Sequence, residues 1–194
     1  MIKKIILILL LTISSIFANS TDDLRQYFSL KLDNILSIVQ NKSLDKITRD
    51  NLIIENLNDI FDFELMGKLS IKKQWRSLSK QEQKEFIELY IKRMQKSYSS
   101  KLDNYKDQKV KIVKLIKIKS NRAIIKTQII GKDSKYSVDY KFYKPKRDKE
   151  GKYSWLIYDV VIEGVSMLKN DIIDFREYLR SHTIQELLVK LKSL

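Results

Sequence analysis

Ser166 lies in Gly164-Val165-Ser166-Met167-Leu168, half of the Gly-x-Ser-x-Gly turn that exposes a hydrolase nucleophile, and the chain's single histidine, His182, would have to be its base. The second glycine of that turn is absent. The stretch reads instead as a tight turn between the last strand and a helix, with Gly164 free to take a positive φ and Ser166 placed as a helix cap. Asp159 and Glu163 form a second candidate, a carboxylate pair of the glycosidase kind. On one strand they would share a face roughly 13 Å apart at about 3.3 Å per residue, too far for either hydrolytic geometry. Asp159 is therefore expected to fix the fold by hydrogen bonding. The absence of Cys removes thiol chemistry, disulfides and Cys-based zinc sites, and one His removes most metal and relay chemistry. No phosphate-cradling Gly-rich loop is visible. The expectation is a protein that is not an enzyme and holds no metal or cofactor.

Charge suggests a different partner class. The 194 residues carry 38 Lys+Arg against 24 Asp+Glu, a net charge of +14, which invites a nucleic-acid reading. Lysine runs along nearly every segment, however, in the Lys-, Ile- and Asn-rich composition that A/T-rich coding produces, so no gathered basic patch is expected. Export argues further against nucleic acid. Lys3 and Lys4 precede an apolar run from Ile5 to Phe17, then Ala18 and polar Asn19, the three parts of a secretory signal peptide. The run is too short for a permanent anchor across about 30 Å of hydrocarbon. Residues 1–18 are read as a removable leader and residues 19–194 as one domain, with a bacterial periplasm as the compartment.

The remaining chain reads as helices, then strands, then helices, an α+β order. Leu24, Tyr27, Phe28, Leu32, Ile35, Leu36 and Val39 form one helical stripe. Further helices are expected from about Ser43, around Asp59–Leu69, and after Ser79, where Ser79 and Glu82 fit a capping box. The helix opened there carries Phe86, Tyr90, Met94 and Tyr98 at helical spacing. From Val110 the period becomes two, with Lys114 breaking the order as a bulge would. Four strands follow as an antiparallel meander with one face wetted by lysine and the other covered by helices. Lys144–Gly151 is a hairpin loop, and Tyr153, Trp155, Ile157 and Val161 alternate along the last strand. Asn170–Arg180 and Thr183–Leu194 close the chain, the latter with a Thr183/Glu186 capping box.

Two stretches resemble the MlaC (toluene-tolerance auxiliary) family. The first runs Phe61-Asp62-Phe63, Met66-Gly67-Lys68, Trp75-Arg76-Ser77-Leu78-Ser79, then Gln81, Gln83, Phe86, Tyr90, Tyr98, Leu102 and Tyr105. The second runs Val138-Asp139-Tyr140-Lys141-Phe142, Gly151, then Trp155 through Met167 with its Tyr158-Asp159 and Glu163-Gly164-Val165-Ser166 elements. Leu187, Leu188 and Leu191-Lys192-Ser193 resemble the family's end. One departure is Asn170-Asp171-Ile172, where many members have Tyr-Arg after the Asn. The resemblance implies an NTF2-like fold around an apolar cavity and a periplasmic phospholipid shuttle without enzymatic activity. It also implies two partners, an inner-membrane ABC transporter with an MCE-domain subunit and an outer-membrane lipoprotein complex.

Strand and helix periodicity, separately from the family, nominates the cavity lining. One sheet face, Tyr136, Val138, Tyr140, Phe142, Trp155 and Ile157, is expected to face Tyr90 and Met94 across a hollow that takes acyl chains. A periplasmic binding module for another apolar ligand is the alternative.

Overall fold

Two capping boxes set where the 24-residue helix of the middle of the chain and the nine-residue final helix begin. The Ser79 amide donates to Glu82 (2.8 Å) and the Glu82 amide to the Ser79 hydroxyl (3.2 Å). Thr183 and Glu186 repeat the reciprocal pattern at the final helix. The structure, a computed structural model, describes residues 20–103, 108–132, 134–145 and 155–193. The expected leader, Tyr105, most of the Lys144–Gly151 loop and Tyr153 lie outside the described residues.

Five helices come first: α1 (Ser20–Gln40), α2 (Lys46–Ile60), α3 (Phe63–Ser70), the single turn α4 (Lys72–Trp75) and α5 (Lys80–Asp103). Strands β1 (Lys109–Lys119), β2 (Arg122–Ile130), β3 (Lys135–Tyr143), β4 (Leu156–Ile162) and the two-residue β5 (Val165–Ser166) follow. The closing helices are α6 (Met167–Tyr178) and α7 (Ile184–Lys192). The sheet is fully antiparallel, in the order β1-β2-β3-β4-β5. The α+β order stands, with a fifth short strand beyond the four expected.

The helix expected over Asp59–Leu69 is broken at Phe61-Asp62. Phe61 leaves helical geometry to bridge Ile157 in parallel, and the Asp62 amide donates to the Ile157 carbonyl at 2.9 Å. The Asp62 side chain then caps α3 by accepting from the Leu65 amide at 2.8 Å. Sheet pairing thus ends α2 and starts α3 within two residues. Gly67 lets α3 approach α5 closely, since a Cβ there would lie 3.1 Å from a Tyr90 ring carbon.

Two bulges reassign strand faces. Pairing shifts between Ile112 and Lys114, so Leu115 rather than Ile116 joins Val110 and Ile112 on the inner face. A second shift, opposite Lys141 and Phe142, turns Val160 and Ile162 inward after Ile157, where unbroken alternation would have placed Val161. The hairpin from β4 to β5 uses Glu163 (φ 49°) and Gly164 (φ 82°), two consecutive left-handed residues that match a primed turn. Glutamate is a costly choice at such a position, and its carboxylate accepts from the Ser137 amide, which holds the turn onto β3. Ser166 caps α6 by accepting from the Lys169 amide at 3.0 Å, and its hydroxyl donates to Asp159.

The lysines are not evenly spread once position is considered. Residues 108–145 hold eleven Lys+Arg against two Asp, whereas residues 20–103 hold fifteen against thirteen and residues 155–193 five against six. The charge therefore belongs to the strands β1–β3, a correction to the even distribution read from the sequence. Alternation explains why: the inner positions must be apolar, so the charge collects on the outer face.

Candidate functional site

Helix α5 contains two environments along one stripe. Its first half is solid core: Phe86 (0% exposed) and Tyr90 (0%) meet Phe175 of α6 edge-on at 5.8 and 6.3 Å, and Met94 is buried one turn later. Its second half, from Tyr98 to Leu102, instead overhangs the inner face of the sheet. There α1 and α2 do not close onto the strands, and an apolar hollow of about 170 Å³ remains.

Each wall comes from a different element. Helix α1 supplies Phe28, Leu32, Ile35 and Leu36, and α2 with its exit supplies Leu57, Ile60 and Phe61. The sheet supplies Val110 and Ile129 from β1 and β2, Tyr136, Val138 and Tyr140 from β3, and Ile157, Val160 and Ile162 from β4. The register places Val110, Ile129 and Tyr136 in one row and Val138 beside Ile162 in the next. No charged side chain lines the hollow among the described residues. Tyr136 is 36% exposed while Val138 is 3% and Phe142 0%, so the hollow meets solvent at the Tyr136 end and closes toward Phe142.

Two phenols stand in this apolar wall. The Tyr98 ring packs against Phe61 at 5.0 Å, and its hydroxyl is shut off from solvent with no hydrogen-bond partner. Burial, then the neighbouring Tyr140, pushes its pKa far up. Burial raises Tyr140 to about 12. Both rings remain neutral at any physiological pH, so the hollow presents apolar surface with weak polar donors and no ion.

The eight nominated lining residues divide evenly. Tyr136, Val138, Tyr140 and Ile157 border the hollow, whereas Tyr90, Met94, Phe142 and Trp155 are buried away from it. Tyr90 is held in the core by a 2.7 Å hydrogen bond to Asp171. Phe142 is covered by Phe28 at 5.5 Å in an edge-on contact. The walls from α1, α2 and the end of α5 were not nominated, although the α1 stripe and Tyr98 were both visible as apolar periodicity. What periodicity does not carry is which stretch of a stripe is left uncovered.

The residues that first suggested catalysis are committed elsewhere. Asp159, 3% exposed, accepts from the Ser166 hydroxyl (2.8 Å), the Leu168 amide (3.1 Å) and the Lys141 ammonium (2.8 Å). It joins β4 to the start of α6, the fold-fixing part expected of it. His182 stacks on Tyr178 at 4.1 Å.

Comparison with known proteins agrees with this architecture. The family model described as MlaC protein matches residues 31–193. The intermembrane phospholipid transport system binding protein MlaC of Haemophilus influenzae is 27% identical over 167 residues, covering 82% of this chain and 76% of that protein. A phospholipid-binding protein from Ralstonia solanacearum, solved in complex with a phospholipid, has the same fold. The TM-score is 0.74 at 14% identity, over 88% of this chain and 95% of the other.

Proposed function

Because the chain belongs to the MlaC family, we propose that it is a periplasmic phospholipid carrier that moves lipid between the inner and outer membranes. The observation that carries this reading is the charge-free hollow between α1, α2, the end of α5 and the inner sheet face, open at Tyr136. The relative from Haemophilus influenzae is named for intermembrane phospholipid transport, and the Ralstonia solanacearum protein holds a phospholipid.

Each methylene taken out of water is worth about 0.8 kcal/mol, so a two-chain lipid does not cross an aqueous gap unaided. A hollow walled by Leu, Ile, Val and Phe offers the chains an environment close to that of the bilayer they leave. Extraction and release are then near balance, which a carrier needs. The headgroup remains in water beyond Tyr136, so selectivity falls on the chains. At about 170 Å³ the hollow is smaller than the roughly 300–1,000 Å³ of ordinary ligand pockets, so loading must part its walls. Helix α1, which meets the sheet through Phe28 against Tyr140 (4.8 Å) and Phe142, is the wall that would move.

In this reading residues 1–18 are a leader removed on export, and lipid is exchanged with an inner-membrane ABC transporter bearing an MCE-domain subunit and with an outer-membrane lipoprotein complex. The protein binds its cargo without turnover. Organic extraction of mature protein purified without detergent, followed by lipid mass spectrometry, tests the proposal. Near-stoichiometric phospholipid is expected. Extracts free of phospholipid from several expression hosts would refute it, and a different apolar compound at that stoichiometry would establish the alternative cargo.

A further inference from the structure

Among the described residues no helix covers the outer face of β1–β3, and this face gathers eight cations. The register puts Lys109, Lys111, Lys114 and Lys119 of β1 on the same face as Arg122 and Lys126 of β2 and Lys135 and Lys141 of β3. Lys109, Lys111, Lys114, Lys119 and Lys135 are exposed. Carboxylate contacts are few among the described residues: Lys126 reaches Asp139 at 3.1 Å and Lys141 reaches buried Asp159 at 2.8 Å.

Like charges stand directly opposite one another on this face. Lys114 faces Lys126 and Lys119 faces Arg122 across the β1–β2 ladder. Such cross-strand pairs disfavour the sheet that carries them. The helical layers, by contrast, are close to neutral. An arrangement that costs stability and leaves cations without counter-charges is complementary to an external anionic surface.

We infer that the outer face of β1–β3 docks the protein on an anionic lipid bilayer. Seven of the eight cations are lysines, mobile point charges suited to a diffuse layer of phosphates rather than to fixed bidentate partners. The one arginine, Arg122, is already stacked over Tyr143 (5.3 Å) and Tyr158 (4.7 Å). The lysines straddle Ile116, Ile124 and Ile130 on an open sheet, with none of the pocketed Trp or Arg anchors that dominate protein interfaces. The placement also joins the face to the hollow. Lys109, Ile130 and Lys135 are the immediate chain neighbours of Val110, Ile129 and Tyr136, so the strand ends present cations outward and the cavity rim inward.

This docking does not depend on which apolar compound fills the hollow. The test is flotation of the mature protein with phosphatidylcholine vesicles, with and without phosphatidylglycerol, at low and high salt. Bound cargo is measured in the same fractions. Binding is expected only with phosphatidylglycerol, falling steeply as salt shortens the screening length. The triple variant Lys111→Glu/Lys114→Glu/Lys135→Glu is expected to bind at least tenfold more weakly with unchanged cargo, and the corresponding Gln variant is expected to fall between it and the parent. Equal binding to neutral vesicles, insensitivity to salt, or undiminished binding by the Glu variant would overturn the inference. So would failure on vesicles with capture of an acidic protein through the same lysines. Cargo retained in any of these cases leaves the carrier reading intact.

Discussion

The Tyr90 hydroxyl donates to one oxygen of Asp171 at 2.7 Å while Arg93 reaches the other at 2.8 Å, joining α5 to α6 across an interval of 81 residues. Asp171 is buried, and Arg93 is covered in part by the Phe175 ring at 5.4 Å. Asp171→Ala strands a buried phenol and a half-buried guanidinium, and is expected to cost about 3 kcal/mol in denaturant unfolding. Tyr90→Phe removes one bond and is expected to cost about 1 kcal/mol. Because the two share a partner, their effects should fall short of additive in a double-mutant cycle.

Val138 and Phe142 lie four residues apart on the inner face of β3, one at the hollow and one in solid core. Val138→Glu is expected to abolish copurifying lipid while lowering the melting temperature less than Phe142→Ala, which leaves a void costing about 3–5 kcal/mol. Lipid mass spectrometry beside calorimetry separates the two effects. Equal loss of folding and cargo at Val138 would make it a packing residue.

Tyr98 carries a buried hydroxyl without a partner, a group whose desolvation costs about 1–3 kcal/mol. Tyr98→Phe is therefore expected to leave the fold intact and raise the stability of delipidated protein, read as a higher urea midpoint.

Ser166→Ala removes the cap on the Lys169 amide and one donor to Asp159. A loss of about 1 kcal/mol is expected, with cargo unchanged and no esterase activity in either protein.

Glu82 and Glu186 are held below their ordinary value of 4.5, chiefly by hydrogen bonds from Ser79 and from the Thr183 backbone respectively. Carboxylates depressed in the folded state contribute stability that is complete above that value and is lost as pH falls through the lower folded one. Thermal melts taken from neutral pH into the acid range should decline below about pH 4.5, and Glu82→Gln/Glu186→Gln should flatten the decline.

Local chemistry was the legible part of the sequence. Ser79/Glu82, Thr183/Glu186 and Gly164-Val165-Ser166 act within four residues of themselves, and each forms the cap or turn its residue types require. Strand faces were legible up to the bulges at Val113 and Tyr158, where one extra residue exchanges inside for outside. The hollow was half legible. Tyr90 and Tyr98 are both aromatic on one stripe of α5, and only the arrival of Phe175 and Asp171 at the first, from far along the chain, makes it core. The charged face was hidden for a related reason. Lysines at alternating positions look evenly scattered in order of sequence and become one surface only when three strands lie side by side.

The order of the meander has a consequence for how the molecule is made. Each strand after β1 hydrogen-bonds to the strand synthesised just before it, so the sheet is assembled from local hairpins with modest loop-closure entropy. The helical layer is different: Asp171 must reach Tyr90 and Arg93, Gln185 must reach Glu82 across 103 residues, and Lys192 must reach Glu85. Helix α3 reaches one side of Tyr90 early, but the side of α5 on which Phe86 and Tyr90 meet Phe175 stays uncovered until α6 has been delivered. A chain interrupted before Asp171 would display that oily ridge to whatever chaperone or protease meets it.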